Sequence, residues 1–177
     1  MWRSRSCWPV RSSVWISISV SSESTIMKNQ TNNSTAALSQ TSKLDGVRLS
    51  PHFKLNEFIK ADKYPDNKPT LQDVVNMAYG CQLLLEPARI EVGPIIVNSG
   101  FRNSRVNRLV GGVSSSQHLC GQAADIRPKD PSQFQRLVDF LKASPYSDQL
   151  LTGSGWLHIS WNPFAQPRHI VRIGYYP

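Results

Sequence analysis

The spacing of apolar side chains changes character near Leu49. From Met1 to about Ser42, Ser, Thr, Asn and Gln dominate and few large apolar residues follow Val20. No period there suits packing on a core, so residues 1–48 are expected to be a disordered leader ahead of a domain over 49–177. Beyond Leu49, helical and strand periods alternate. "LNEFIKAD" predicts a short helix with Asn56 as its N-cap and Phe58 and Ile59 buried. A longer helix starts behind Thr70, with Asp73 placed for a capping box. Leu71, Val74, Val75, Ala78, Cys81 and Leu85 recur at helical spacing until Pro87 and "ARIEVGP" end it. "IIVNSGF" (95–101) predicts a buried strand opening into a turn at Gly100, and "SRVNRLVGG" a short helix closed by Gly111. "DPSQFQRLVDFLKAS" is amphipathic, with Pro131 in its first turn and Phe134, Leu137, Val138 and Leu141 on one face. Short strands are predicted at 148–151, 156–161 and 169–176. Helices first and strands clustered late imply an α+β domain with a small, mainly antiparallel sheet flanked by helices.

Composition narrows the partners. The 177 residues, 40% hydrophobic, suffice for one domain with a real core. No apolar run approaches the roughly 18 residues of a membrane span, since "VWISISV" is short and broken by serines. Arg3, Arg5 and Arg11 ahead of that stretch superficially resemble a secretion signal, yet no convincing small-x-small cleavage site follows. Met27, before "KNQTNNS", is an alternative start of translation, and the place of action in the cell stays open. A net charge of +8 suits an anionic partner, including an anionic cell-wall polymer. Nucleic acid is disfavoured, because the basic residues are scattered and not interleaved with aromatics. Cys7, Cys81 and Cys120 form neither a CxxC knuckle nor a disulfide framework, and Cys81 reads as a small core side chain.

The chemistry concentrates in "SSSQHLCGQAADIRP" and "WLHISW". As a strand, "AADI" puts Ala123 and Asp125 on one face and Ala124 and Ile126 on the other, while Gly121 lets His118 fold back toward the carboxylate. In the second segment Trp156, His158 and Ser160 share a face. Two imidazoles and a carboxylate are the ligand inventory of a catalytic zinc site. Taken singly, each also reads as a surface-loop, strand-end or sheet residue, and spacing alone leaves those alternatives open.

"SQHLCGQAAD", carrying Ser116, His118, Gly121, Ala123 and Asp125, together with "WLHIS", resembles the motifs of the zinc D-Ala-D-Ala carboxypeptidases, a family that includes VanX- and VanY-type dipeptidases and phage endolysins. "LSPHFKLNEF", "LLLEPAR" and "VNSGFRNSRVNRLVGG" extend the resemblance over residues 49–177. It implies a hedgehog/DD-peptidase-type fold, Zn²⁺ held by His118, Asp125 and His158, and peptidoglycan peptides as substrate. It further implies Arg102 facing the scissile carbonyl, with Ser116 supporting the metal loop or touching substrate beside Trp156 and Ser160. Such enzymes also need a carboxylate general base near the last histidine. Here the position three residues before His158 is Gly155, "LLTGSGWLH" holds no acid, and no glutamate follows Glu91. Of the later aspartates, Asp130, Asp139 and Asp148, the last is the expected base. The alternative is a zinc-containing wall-binding module with weakened catalysis.

Overall fold

The computed structural model describes residues 46–60 and 62–174. The leader up to residue 45 and residues 175–177, which include the last two positions of the strand expected over 169–176, lie outside the described residues. Ordered packing begins slightly ahead of Leu49, since Val47 rests on the core and its carbonyl accepts from Leu55 N. The first helix, α1 (Leu55–Ile59), buries Phe58 and Ile59 as the pattern requires. Its N-cap is Lys54, not Asn56: Glu57 reaches back to accept from Lys54 N, and Asn56 falls inside the first turn. In α2 (Leu71–Gly80) the capping box is complete, with the Thr70 hydroxyl accepting from Asp73 N and the Asp73 carboxylate from Thr70 N.

The expected stop at Pro87 does not occur. A π-helical turn over Cys81–Leu85 leads directly into α3 (Glu86–Val92), with Pro87 in its opening turn. A proline ring clashes with the carbonyl four residues back in a regular helix. The wider π turn interrupts that four-residue repeat just upstream, so the rod continues. Leu71, at the first position of α2, stays exposed, while Met77, which the pattern passed over, is fully buried.

Five strands complete the α+β domain: β1 (Ile95–Ser99), β2 (Ala123–Pro128), β3 (Gln149–Thr152), β4 (Leu157–Ser160) and β5 (Ile170–Arg172). The helices α4 (Ser104–Leu109) and α5 (Phe134–Ala143) lie between them in the chain. The sheet order is β1-β2-β4-β3-β5, antiparallel except for β5, which runs parallel to β3. One face carries Ala124, Ile126, Leu150, Leu157 and Ile159, all fully buried in the core with Leu137 and Leu141 of α5 and Leu84, Leu85 and Ala88 of the long helical rod. Cys81 belongs to that core. The opposite face bears the chemistry, and the register aligns it. Ser99 pairs with Asp125, Asp125 with His158, His158 with Leu151, and Leu151 with Arg172. Residues opposite one another in a sheet share a face, so these side chains form a single row across all five strands. Among the described residues no helix is long and apolar enough to cross a membrane.

Candidate metal centre

Two loops and two strands converge at the centre of that row. Beyond β1 the chain turns at Gly100, where a Cβ would stand 2.7 Å from Phe58 Cβ and 2.8 Å from Phe58 Cα, so only glycine fits against α1. The turn is tied down by the buried Asn67. Its Nδ2 donates to Ile59 O and Phe101 O, both at 2.8 Å, and its Oδ1 accepts from Asn103 N at 2.7 Å. Arg102 N donates to His118 O, which joins this turn to the second loop. There a 3₁₀ turn, Gln117–Cys120, is capped by the Ser116 hydroxyl accepting from His118 N. Asn76 of α2 holds the far end by donating to Cys120 O. Gly121 closes the turn at φ +64°, with Asp73 O 2.5 Å from where a Cβ would stand, which explains the glycine that breaks this segment.

The loops deliver His118 to the middle of the sheet, 2% exposed. Its Nδ1 lies 2.5 Å from Gly100 O. A carbonyl only accepts, so Nδ1 carries the proton and Nε2 of the neutral ring presents a lone pair. Burial drives His118 toward that neutral form, against the pull of the neighbouring carboxylate. Nε2 stands 3.2 Å from both Asp125 Oδ1 and His158 Nδ1, and His158 Nδ1 is 2.9 Å from the same Oδ1. Burial opposes the charge on Asp125, but its contacts with the two histidines and the guanidinium of Arg102 outweigh that and hold the carboxyl far below the usual carboxylate range. Three electron-pair donors therefore face one another within 4.8 Å. A cation at their centre would satisfy all three at once. Two imidazole nitrogens and one carboxylate oxygen are the donor set of a three-ligand zinc centre, and the Gly100 carbonyl behind His118 is the outer hydrogen bond that fixes a ligand imidazole.

Around the donors a cleft of about 550 Å³ opens on the polar face of the sheet. Arg102, Ser116, His118, Asp125, Trp156 and His158 all line it, so six of the residues expected from sequence are brought together. Arg102 is paired with the remaining oxygen of Asp125 through Nη2, and its Nε donates to Ser99 Oγ. Two expected residues stand apart. Ser160 is fully buried, with its hydroxyl 3.4 Å from Asp148 Oδ2, and does not line the cleft. Asp148, also outside the lining, is 1% exposed and surrounded by donors: Arg168 N and Nε, Gln117 Nε2 and the Ser160 hydroxyl. Burial pushes its pKa up, but Arg168 and Gln117 reverse this and hold the carboxyl below its ordinary value. It stands just ahead of β3, three residues before Leu151, the partner of His158, about 10 Å along the chain. Gly100 was expected only as a turn, and Asn67, Gln117, Arg168 and Arg172 were not singled out from sequence. Of these, only Gly100 offered a signal, the turn that follows the apolar run 95–97 and the polar pair Asn98 and Ser99.

A mainly antiparallel α+β sheet with a His/Asp/His donor set at the floor of a cleft has the form of a metal-binding site. The family model described as Peptidase M15 matches residues 51–160, well over half of the chain and all three donors. The chain belongs to the M15 peptidases, a family of metallopeptidases. A search of curated proteins found no match.

Proposed function

We propose that this protein is a zinc-dependent hydrolase of peptide bonds in peptidoglycan stem peptides, with a D-Ala-D-Ala or related D-residue bond as substrate. The observation that carries this reading is the convergence of the His118, Asp125 and His158 donor atoms within 4.8 Å on the floor of an open cleft. Zinc held there would supply Lewis acidity and an activated water. The chain's own residues do the rest. Asp125 turns Oδ1 to the centre while Arg102 holds Oδ2, so Oδ1 is the oxygen that would hold the ion. A guanidinium has five N–H donors. Those not engaged with Asp125 and Ser99 are placed to meet negative charge developing on a scissile carbonyl oxygen, an effect typically worth about 3 kcal/mol of barrier. Ser116 keeps the metal loop in shape, and Trp156 forms part of the wall against which a peptide lies.

The missing step is proton transfer. Asp125 is the only carboxylate among the described residues lining the cleft, and Asp148 is engaged by Arg168 and Gln117. A base must come within about 3 Å of the proton it takes, directly or through one water. That favours, as a second reading, a zinc-containing wall-binding module whose turnover is slowed by about 10²–10⁴-fold, the usual worth of a general base. Incubation of the zinc-loaded protein with muropeptides, followed by mass spectrometry, separates the two. Cleavage that disappears in His118→Ala establishes the hydrolase, and binding without cleavage establishes the module.

A further inference from the structure

We propose that Arg172, on the edge strand β5, selects peptides that carry a free carboxylate, and that Asp148 with Arg168 is the anchor that positions it. This rests on the reading of the cleft as a peptide-binding site. The first support is the register. Arg172 stands opposite Leu151, which stands opposite His158, so Arg172 shares the ligands' face two strands away, about 10 Å at the usual strand spacing. Both ends of that span line the cleft. An extended peptide advances about 3.3–3.6 Å per residue. Once the length of the arginine side chain is allowed for, its guanidinium reaches a group one or two residues from a bond held over the donors.

The second support is charge. Of the three arginines lining the cleft, Arg102 is paired with Asp125 and Arg168 with Asp148. Arg172 has no ion pair among the described residues, and it is exposed. A guanidinium facing a cleft whose one carboxylate is already engaged is complementary to a carboxylate brought by the ligand, which it can grip through two parallel hydrogen bonds.

The third support is the anchor. Arg168 N donates to Asp148 Oδ1, and Ile170 N donates to Asp148 O, so the buried aspartate fixes both the approach to β5 and its register on β3. Gln117, next to the ligand His118, accepts from Arg168 Nη2 at 2.8 Å and ties the same anchor to the metal loop. The buried carboxylate thus acquires a role that general-base chemistry does not give it. Arg168 and Arg172 both lie beyond the residues 51–160 that match the family model.

The ligand carboxylate has two possible sources, the C-terminus of a stem peptide or an acidic side chain within it. The test uses a synthetic D-alanine-terminated stem peptide in three forms: free acid, C-terminal amide and side-chain amide. Binding to the zinc-loaded wild type and to Arg172→Gln is measured by calorimetry, and turnover by mass spectrometry. The expected result is a wild-type preference of roughly tenfold for the free acid over one of the amides, abolished in Arg172→Gln and partly kept in Arg172→Lys. The amide that binds weakly identifies the source. Equal wild-type affinity for all three forms, or a preference that survives in Arg172→Gln, overturns the proposal. Preference without turnover removes only the hydrolytic reading, and turnover without preference removes only this one.

Discussion

Replacing Gly100 with alanine tests the link between backbone packing and the metal centre. The new Cβ would meet Phe58 Cα at 2.8 Å, short of a relaxed carbon contact of roughly 3.5 Å by about 0.7 Å. Backbone atoms of α1 cannot rotate away, so the turn itself must move, and with it the carbonyl now 2.5 Å from His118 Nδ1. Two separable costs follow. Overpacking a buried turn costs about 1–3 kcal/mol of folding stability, which lowers the melting temperature of the metal-free protein by about 4–12 °C in a domain of this size. Loss of the outer hydrogen bond to a ligand imidazole weakens metal affinity by about 10–100-fold, or 1.4–2.7 kcal/mol. Thermal unfolding in chelator reads the first, and zinc competition against a chromogenic chelator reads the second. A Gly100→Ala protein that melts lower but binds zinc within twofold of wild type would refute the claim that this carbonyl orients His118. One that melts like wild type would refute the close approach to α1.

Other substitutions probe the supports on either side of the centre. Asn67→Ala strips partners from Ile59 O, Phe101 O and Asn103 N at once, so it is expected to cost about 2–4 kcal/mol in urea unfolding; a loss under about 1 kcal/mol would show that water replaces the side chain. Arg168→Met leaves the buried Asp148 carboxylate with fewer donors and is expected to cost about 2 kcal/mol at neutral pH. Asp148 has a folded pKa below its unfolded one, so its contribution is complete above about pH 4 and fades as pH falls through the folded value. Wild type should therefore lose stability on acidification below about pH 4 to a greater extent than Asp148→Asn, measured as the urea midpoint against pH. Equal slopes would mean that Asp148 is as easily protonated in the fold as out of it.

Strand alternation was the most informative signal in the chain. A period of two placed Ala123 and Asp125 opposite Ala124 and Ile126, and His158 opposite Leu157 and Ile159, and the register of β2 against β4 keeps both faces as expected. The amphipathic face of α5 was legible for the same reason, with Leu137, Val138 and Leu141 all buried. What alternation does not encode is which strands become neighbours. Arg172 joins the cleft only because β5 crosses to lie parallel on β3, and Asp148 is buried only because Arg168, twenty residues on, returns to cover it. Asn67 stands in a loop with no periodicity and owes its role to three backbone groups distant in sequence or in another loop. Pro87 misled because its effect depends on the geometry of the turn before it, and a π turn looks like any other helical stretch in one dimension.

The row that crosses the sheet also divides the labour of the fold by depth. Asp125 and His158 occupy interior strands bonded on both sides, where a backbone shift would disturb two neighbours. Arg172 sits on an edge strand of three residues, bonded on one side only. Substitutions on β5 can therefore retune what the cleft accepts while leaving the floor untouched, and sequence drift or directed evolution should alter substrate preference from this margin inward.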